Sequence, residues 1–416
     1  MKLRISALLL FILCSTAQET EPSKESESAN LKSYPAGKLY EAKLLQAKLG
    51  YAMEDSFTEA LDVSDALGFY FKGLANGTDP VKAIALFKQG LSAMAKDSKQ
   101  LRKRTLPKIN KKQKLKILQK FNFSKHNETL YGKIDGIILE IYEYKVGKLK
   151  QYGIVIRPDN KAGQYPVIVY CHGAASGVPI YTIPSMAKIA KDGYLIVAPS
   201  FRGEDLFMDE IIGVPNPKSE GSIENLLGEP LDVLASGYGA LNLPNAQGKK
   251  FAVIGHSFGS GAGLLALTMS KDISCMISYD AWMTNPFRFY WERLAGAYEG
   301  NDKIGLWGSW EAFCEQSSKE QLEGLMDRSV VHHAERITAP ILMYTGGDKY
   351  YCDSAYRISH KLFAAKLKAA NKVFEYFVMP DAGHNFVLYP SRNPAQKAYS
   401  MQKDWLKKYH PSRKAR

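Results

Sequence analysis

Phe251-Ala252-Val253-Ile254-Gly255-His256-Ser257-Phe258-Gly259-Ser260-Gly261-Ala262-Gly263-Leu264-Leu265 is the stretch that decides the fold. Its first four residues form a continuous apolar run, as in a strand buried on both faces. Gly255 to Gly259 place a serine between two glycines, and the small residues from Ser260 onward open a helix. A strand that bends sharply into a helix lifts a serine hydroxyl clear of the sheet. The glycines are required because the bend holds Ser257 in a strained backbone conformation, where a neighbouring Cβ would clash. The pattern predicts a nucleophilic serine at 257.

Outward from that bend, apolar strands alternate with helical patterns. Pro166 to Tyr170, Tyr194 to Pro199, Met276 to Tyr279, Ile341 to Tyr344 and Phe374 to Met379 read as strands. Pro184 to Lys191, Glu229 to Leu241, Gly261 to Met269, Ala355 to Ala370 and Gln396 to Lys407 read as helices. Ile137 to Tyr144 and Tyr152 to Ile156 precede them as a β-ribbon. Buried strands separated by helices predict an α/β fold, a mostly parallel sheet covered on both faces. Chemistry in such sheets sits at the carboxyl ends of the strands.

A serine hydroxyl needs a base within hydrogen-bond reach. His384 follows the last strand through Pro380-Asp381-Ala382-Gly383, so its loop can return over the sheet to Ser257. The base needs an acid to fix its tautomer, and two aspartates qualify. Asp348 ends Thr345-Gly346-Gly347-Asp348 after the penultimate strand, and Asp280 opens Asp280-Ala281-Trp282-Met283 after the strand that follows the nucleophile helix. The glycine-flanked turn favours Asp348, with Asp280 as the alternative. Backbone amides for the oxyanion are expected at Phe258 and, in Cys171-His172-Gly173-Ala174-Ala175, at Ala174. This chemistry needs no cofactor and no metal.

From Gly153 to Trp405 the chain resembles the α/β-hydrolase superfamily, in its dienelactone hydrolase and prolyl-oligopeptidase-like group. Ser200-Phe201-Arg202-Gly203-Glu204-Asp205 and Leu231-Asp232-Val233-Leu234-Ala235 carry that resemblance, which implies a triad acid at Asp348. A second, local resemblance links Gly255 to Gly259 and Asp280 to Met283 with platelet-activating-factor acetylhydrolase, which implies Asp280 instead. His256 stands where the peptidase branch often carries an aromatic residue, and no segment of β-propeller size lies ahead of the catalytic region in this sequence. Both departures point away from a peptidase. The expected activity is hydrolysis of a carboxylic ester through an acyl-enzyme. A prolyl-oligopeptidase-type serine peptidase and a non-catalytic binding protein on a hydrolase fold are the alternatives.

The rest of the chain frames this domain. Lys2 and Arg4, the apolar stretch Ala7 to Leu13 and the small residues Ser15 to Ala17 predict a signal peptide over 1–17, cleaved on export to the periplasm or the medium. Lipoprotein anchoring at Cys14 is disfavoured by the bulky Leu13 before it. Residues 18–33 read as a disordered leader and 34–125 as a helical accessory region. The hydrolase domain is expected over 126–410, with a cap insertion at 281–338. The formal net charge is +13, and residues 101–125 hold ten Lys/Arg with no Asp/Glu. With Phe121 and Phe123 near its end as its only aromatics, that run reads as a solvated helical connector, so no nucleic-acid partner is expected. No integral membrane segment is expected either.

Phe287, Phe289, Tyr290, Trp291, Trp307, Trp310 and Phe313 suggest an apolar pocket in the cap for part of a small-molecule, carbohydrate or lipid ester. Cys171 and Cys275 read as buried thiols, Cys314 and Cys352 as a pair able to bridge. His332 and His333 are adjacent rather than four apart, so no zinc pair is expected there.

Overall fold

A computed structural model describes residues 109–122, 136–160, 162–173, 176–211, 213–286, 324, 326–347, 357, 359–380, 382–389 and 391–412. The chain divides into two units, one of residues 1–104 and 285–329, the other of residues 105–284 and 330–416. The signal, leader and helical readings before residue 109 lie outside the described residues. So do the cap aromatics and the Cys314 and Cys352 pair.

The second unit is built on nine strands: β1 (Lys116–Asn122), β2 (Ile137–Val146), β3 (Leu149–Pro158), β4 (Tyr165–Cys171), β5 (Leu195–Pro199), β6 (Ala246–His256), β7 (Ile273–Tyr279), β8 (Ile341–Gly346) and β9 (Phe374–Met379). Their spatial order is β1-β2-β3-β5-β4-β6-β7-β8-β9. The pairs from β5 through β9 are parallel, while β1, β2 and β3 run antiparallel to their neighbours. Helices α1 (Ile183–Lys191), α2 (Glu229–Leu241), α3 (Ser257–Met269), α4 (Ser359–Ala369) and α5 (Asn393–Tyr409) connect and cover them.

The central strands explain this order. Every residue of β4 and β5 is buried, as two-sided coverage demands of an apolar run. Burying one such Val or Ile side chain contributes about 1.5–3 kcal/mol. Helix α3 lies close on the sheet because its residues are small. A Cβ at Gly263 would come within 2.9 Å of Val253 and Met276 side-chain atoms.

One reading needs correction. Lys116–Asn122, inside the run expected to be a helical connector, is a strand paired along β2. Without it the outer edge of β2 from Ile138 to Glu143 would lose its pairing, a liability that sheets relieve by pairing or by charge. β1 does both, since it pairs with β2 and carries Lys116 and Lys120. Satisfying a backbone ladder outweighed the solvated helix that a lysine-rich run suggests.

Candidate active site

Ser257 is the first residue of α3 and has φ of 50°, the left-handed region that costs a non-glycine residue of order 1–3 kcal/mol. The surroundings enforce that conformation. A Cβ at Gly259 would lie 2.2 Å from the His172 carbonyl oxygen, and one at Gly255 would lie 2.6 Å from Ser260 Cα. Neither glycine can be replaced without moving backbone. Because the bend opens a helix, the Phe258 N–H lies in a first turn, where amides have no intrahelical acceptor. The Phe258 ring is fixed below by Phe201 and Trp282, at centroid distances of 5.7 and 5.6 Å.

His384 arrives from the loop after β9. Its Nε2 lies 2.8 Å from Ser257 Oγ, a hydrogen-bond distance, across 127 residues of sequence. Packed surroundings push the His384 imidazole below its ordinary pKa, and neighbouring His256 and His360 push it further the same way. Ser257 and His384 keep intermediate exposure, so the pair sits at a rim and not in the core.

Of the two expected acids, Asp348 lies outside the described residues, but the turn leading to it does not. A Cβ at Gly346 would lie 2.5 Å from the Ala382 carbonyl oxygen and 2.9 Å from Gly383. The Gly347 N–H donates to the Met379 carbonyl at 2.8 Å. The Gly-Gly pair thus lays this turn directly on the backbone just before His384. Asp280 is buried with φ of 44°, and its Oδ1 accepts the Gly346 N–H at 2.9 Å. Its Oδ2 has no hydrogen-bond partner among the described residues, and burial holds the carboxyl well above the usual carboxylate range. Asp280 therefore bonds to the root of the Gly-Gly turn, and no hydrogen bond joins it to His384.

The loop after β4 flanks the nucleophile. Ala174 lies outside the described residues. Gly173 is packed so closely that a Cβ there would be 2.7 Å from His256 Nδ1 and 3.1 Å from Ser257 Cβ. His172 anchors this loop, its Nε2 3.2 Å from Glu204 Oε2 with both side chains fully buried. Glu204 in turn accepts the Phe201 N–H at 3.0 Å. In the sequence the Ser200 to Asp205 turn carries only a resemblance, and nothing local in it signals the burial of a histidine against its glutamate. Arg202 of the same turn makes a two-point pair with Asp232 in α2, at 3.1 and 2.8 Å.

Cys171 and Cys275 are free and buried. Among the described residues no cluster of three or more His, Cys, Asp or Glu is arranged to hold a metal ion. No helix among them is long and apolar enough to cross a membrane.

With this geometry, comparison with known proteins gives the class. The family model described as "Alpha/beta hydrolase family" matches residues 168–396, and the chain belongs to that family. Among solved structures it is similar to the uncomplexed acylaminoacyl peptidase of Pyrococcus horikoshii, at 20% identity and a TM-score of 0.51, over 70% of this chain and 45% of that one. An orthorhombic crystal form of the same peptidase gives 21% identity and a TM-score of 0.50, over 68% of this chain and 43% of that one. The chain thus spans less than half the length of that peptidase. Acetyl xylan esterase 1 of Thermoanaerobacterium is similar over 74% of this chain and 92% of its own, at 15% identity and a TM-score of 0.49. At its 20–21% identity the likeness to the peptidase is one of fold.

Proposed function

We propose that the protein is an exported serine hydrolase of carboxylic esters, working through an acyl-enzyme. The observation that carries this reading is the 2.8 Å approach of His384 Nε2 to Ser257 Oγ at a strained strand-to-helix bend. In the proposed cycle Ser257 Oγ attacks the ester carbonyl carbon while its proton passes to His384 Nε2. The carbonyl oxygen becomes an oxyanion held by the Phe258 and Ala174 amides. The imidazolium returns the proton to the departing alkoxide, leaving an acyl-Ser257 ester. Water then repeats the sequence and releases the acid.

Asp348 is the proposed orienting acid. The packing of Gly346 and Gly347 against the backbone before His384 supports it, and so does the commitment of Asp280 to the Gly346 N–H. The ester reading draws on the resemblance of Gly255 to Gly259 and of Asp280 to Met283 to an acetylhydrolase. Export rests on the signal-like residues 1–17, and a mature chain beginning at Gln18 by mass spectrometry is the expected result.

A fluorophosphonate probe tests the nucleophile directly. Labelling of the folded protein at Ser257, and its loss in Ser257→Ala, are expected; an unlabelled Ser257 would leave only a binding protein on this fold. Turnover of p-nitrophenyl acetate against Pro- and Ala-p-nitroanilides separates esterase from peptidase. Faster anilide cleavage would reverse the ester assignment.

A further inference from the structure

His256 is the last residue of β6, immediately before the nucleophile, and the mechanism above gives it no task. It is nevertheless buried, at 5% exposure, between the two loops that the reaction depends on. Its Nε2 lies 3.3 Å from the carbonyl oxygen of His384, and the two imidazole rings are 5.3 Å apart between centroids. Its opposite edge, Nδ1, faces Gly173, where only a glycine leaves the ring room. A carbonyl oxygen accepts and never donates, so this contact requires the proton on Nε2.

We infer that His256 is a positioning residue: its Nε2–H, donated to the main-chain carbonyl of His384, holds the base loop at the bend that presents Ser257. The inference rests on the serine-hydrolase reading above. Three features agree with it. β6 is an interior strand paired on both sides, with His256 opposite Tyr279 of β7 in a parallel ladder, so the donor stands on the same backbone as the nucleophile. Base and nucleophile are thereby referenced to one strand, although they lie 127 residues apart. Burial and nearby His172 push the His256 imidazole down to about 4, so near neutral pH it is an uncharged donor that adds no positive charge beside the base. Gly173 lies so close to the Nδ1 edge that a Cβ there would be 2.7 Å away, which seats the loop before Ala174 on the same anchor. A buried histidine that only filled space would need neither the carbonyl acceptor nor the glycine.

The test uses the full chain and separates orientation from packing. His256→Phe keeps the ring volume and removes the donor, whereas His256→Gln returns an N–H near the Nε2 position. With p-nitrophenyl acetate, His256→Phe is expected to lower kcat about 10- to 100-fold, the scale of a misplaced catalytic group. KM is expected to stay within about twofold, and His256→Gln to recover most of the kcat loss. Wild-type kcat in His256→Phe would overturn the inference, as would His256→Gln being as slow as His256→Phe when both melt like the wild type. Should His256→Phe fail to fold, His256→Gln carries the test. A kcat within about fivefold of wild type then supports the inference, and a loss beyond about 100-fold at an unchanged melting temperature overturns it. Fluorophosphonate labelling keeps the two failures apart. A wild type that does not label defeats the hydrolase reading, while a labelled wild type indifferent to His256 defeats only this one.

Discussion

Among the described residues the sheet carries two Ser–His pairs, one at each end, and both measure 2.8 Å. Ser257 meets His384 at the carboxyl ends of the strands; Ser274 meets His410 Nδ1 near the amino end of β7. Separation therefore does not distinguish them. Ser274 lies inside a strand, and its hydroxyl is also within 3.1 Å of the Phe251 carbonyl oxygen, to which it donates. Ser257 sits at φ of 50° at the start of a helix, with a first-turn amide next to it. The upper pair has a bent backbone and a first-turn amide, that of Phe258, beside it. The lower pair fastens the end of α5 to the sheet. A nucleophile is made by backbone geometry and nearby donors, and the imidazole alone does not suffice.

Mutation breaks this contrast most sharply at the serines. Ser257→Ala is expected to lower kcat by about 10⁶-fold without a change in melting temperature. Ser274→Ala should leave kcat within about twofold and cost about 1 kcal/mol of stability by urea unfolding, the worth of one hydrogen bond. An inactive but folded Ser274→Ala protein would erase the distinction. The acids come next. Asp348→Asn is expected to cost about 10⁴-fold in kcat by leaving the base in the wrong tautomer, and Asp280→Asn, which keeps an acceptor for Gly346, less than about tenfold. The reverse order would move the triad to Asp280.

A pH effect sharpens the lower pair. Burial pushes the His410 imidazole down to about 4, whereas an unfolded histidine titrates near 6.5. Between those values the unfolded chain binds a proton that the folded one refuses, so stability falls as pH drops below 6.5 and levels off below 4. At pH 4.5 the loss from this one group is on the order of 2–3 kcal/mol. Urea midpoints at pH 7 and 4.5 should therefore converge in His410→Phe relative to wild type; equal pH sensitivity in both would remove His410 from the acid response.

Much of the upper site was legible in the sequence because steric demands are local. Gly255 and Gly259 had to be glycines for reasons contained in five residues, and His384 followed from strand order. The acid was less legible. Two aspartates end neighbouring strands, and only folding shows that one of them bonds to Gly346. The roles of His256, His172 and His410 were hidden for a different reason. Each depends on a partner brought close by the sheet, and a histidine in an apolar context has no local pattern that names its acceptor. β1 is not legible as a strand because lysine content says where a segment is solvated, and not whether its backbone is paired.

That edge strand has a practical consequence for dissecting the molecule. A fragment beginning after Asn122 would uncover the outer rim of β2, whose residues from Ile137 to Tyr142 are all buried in the intact unit. Such a piece would retain every catalytic candidate and still be expected to self-associate along that rim. A minimal soluble version of the hydrolase should accordingly start ahead of Lys116.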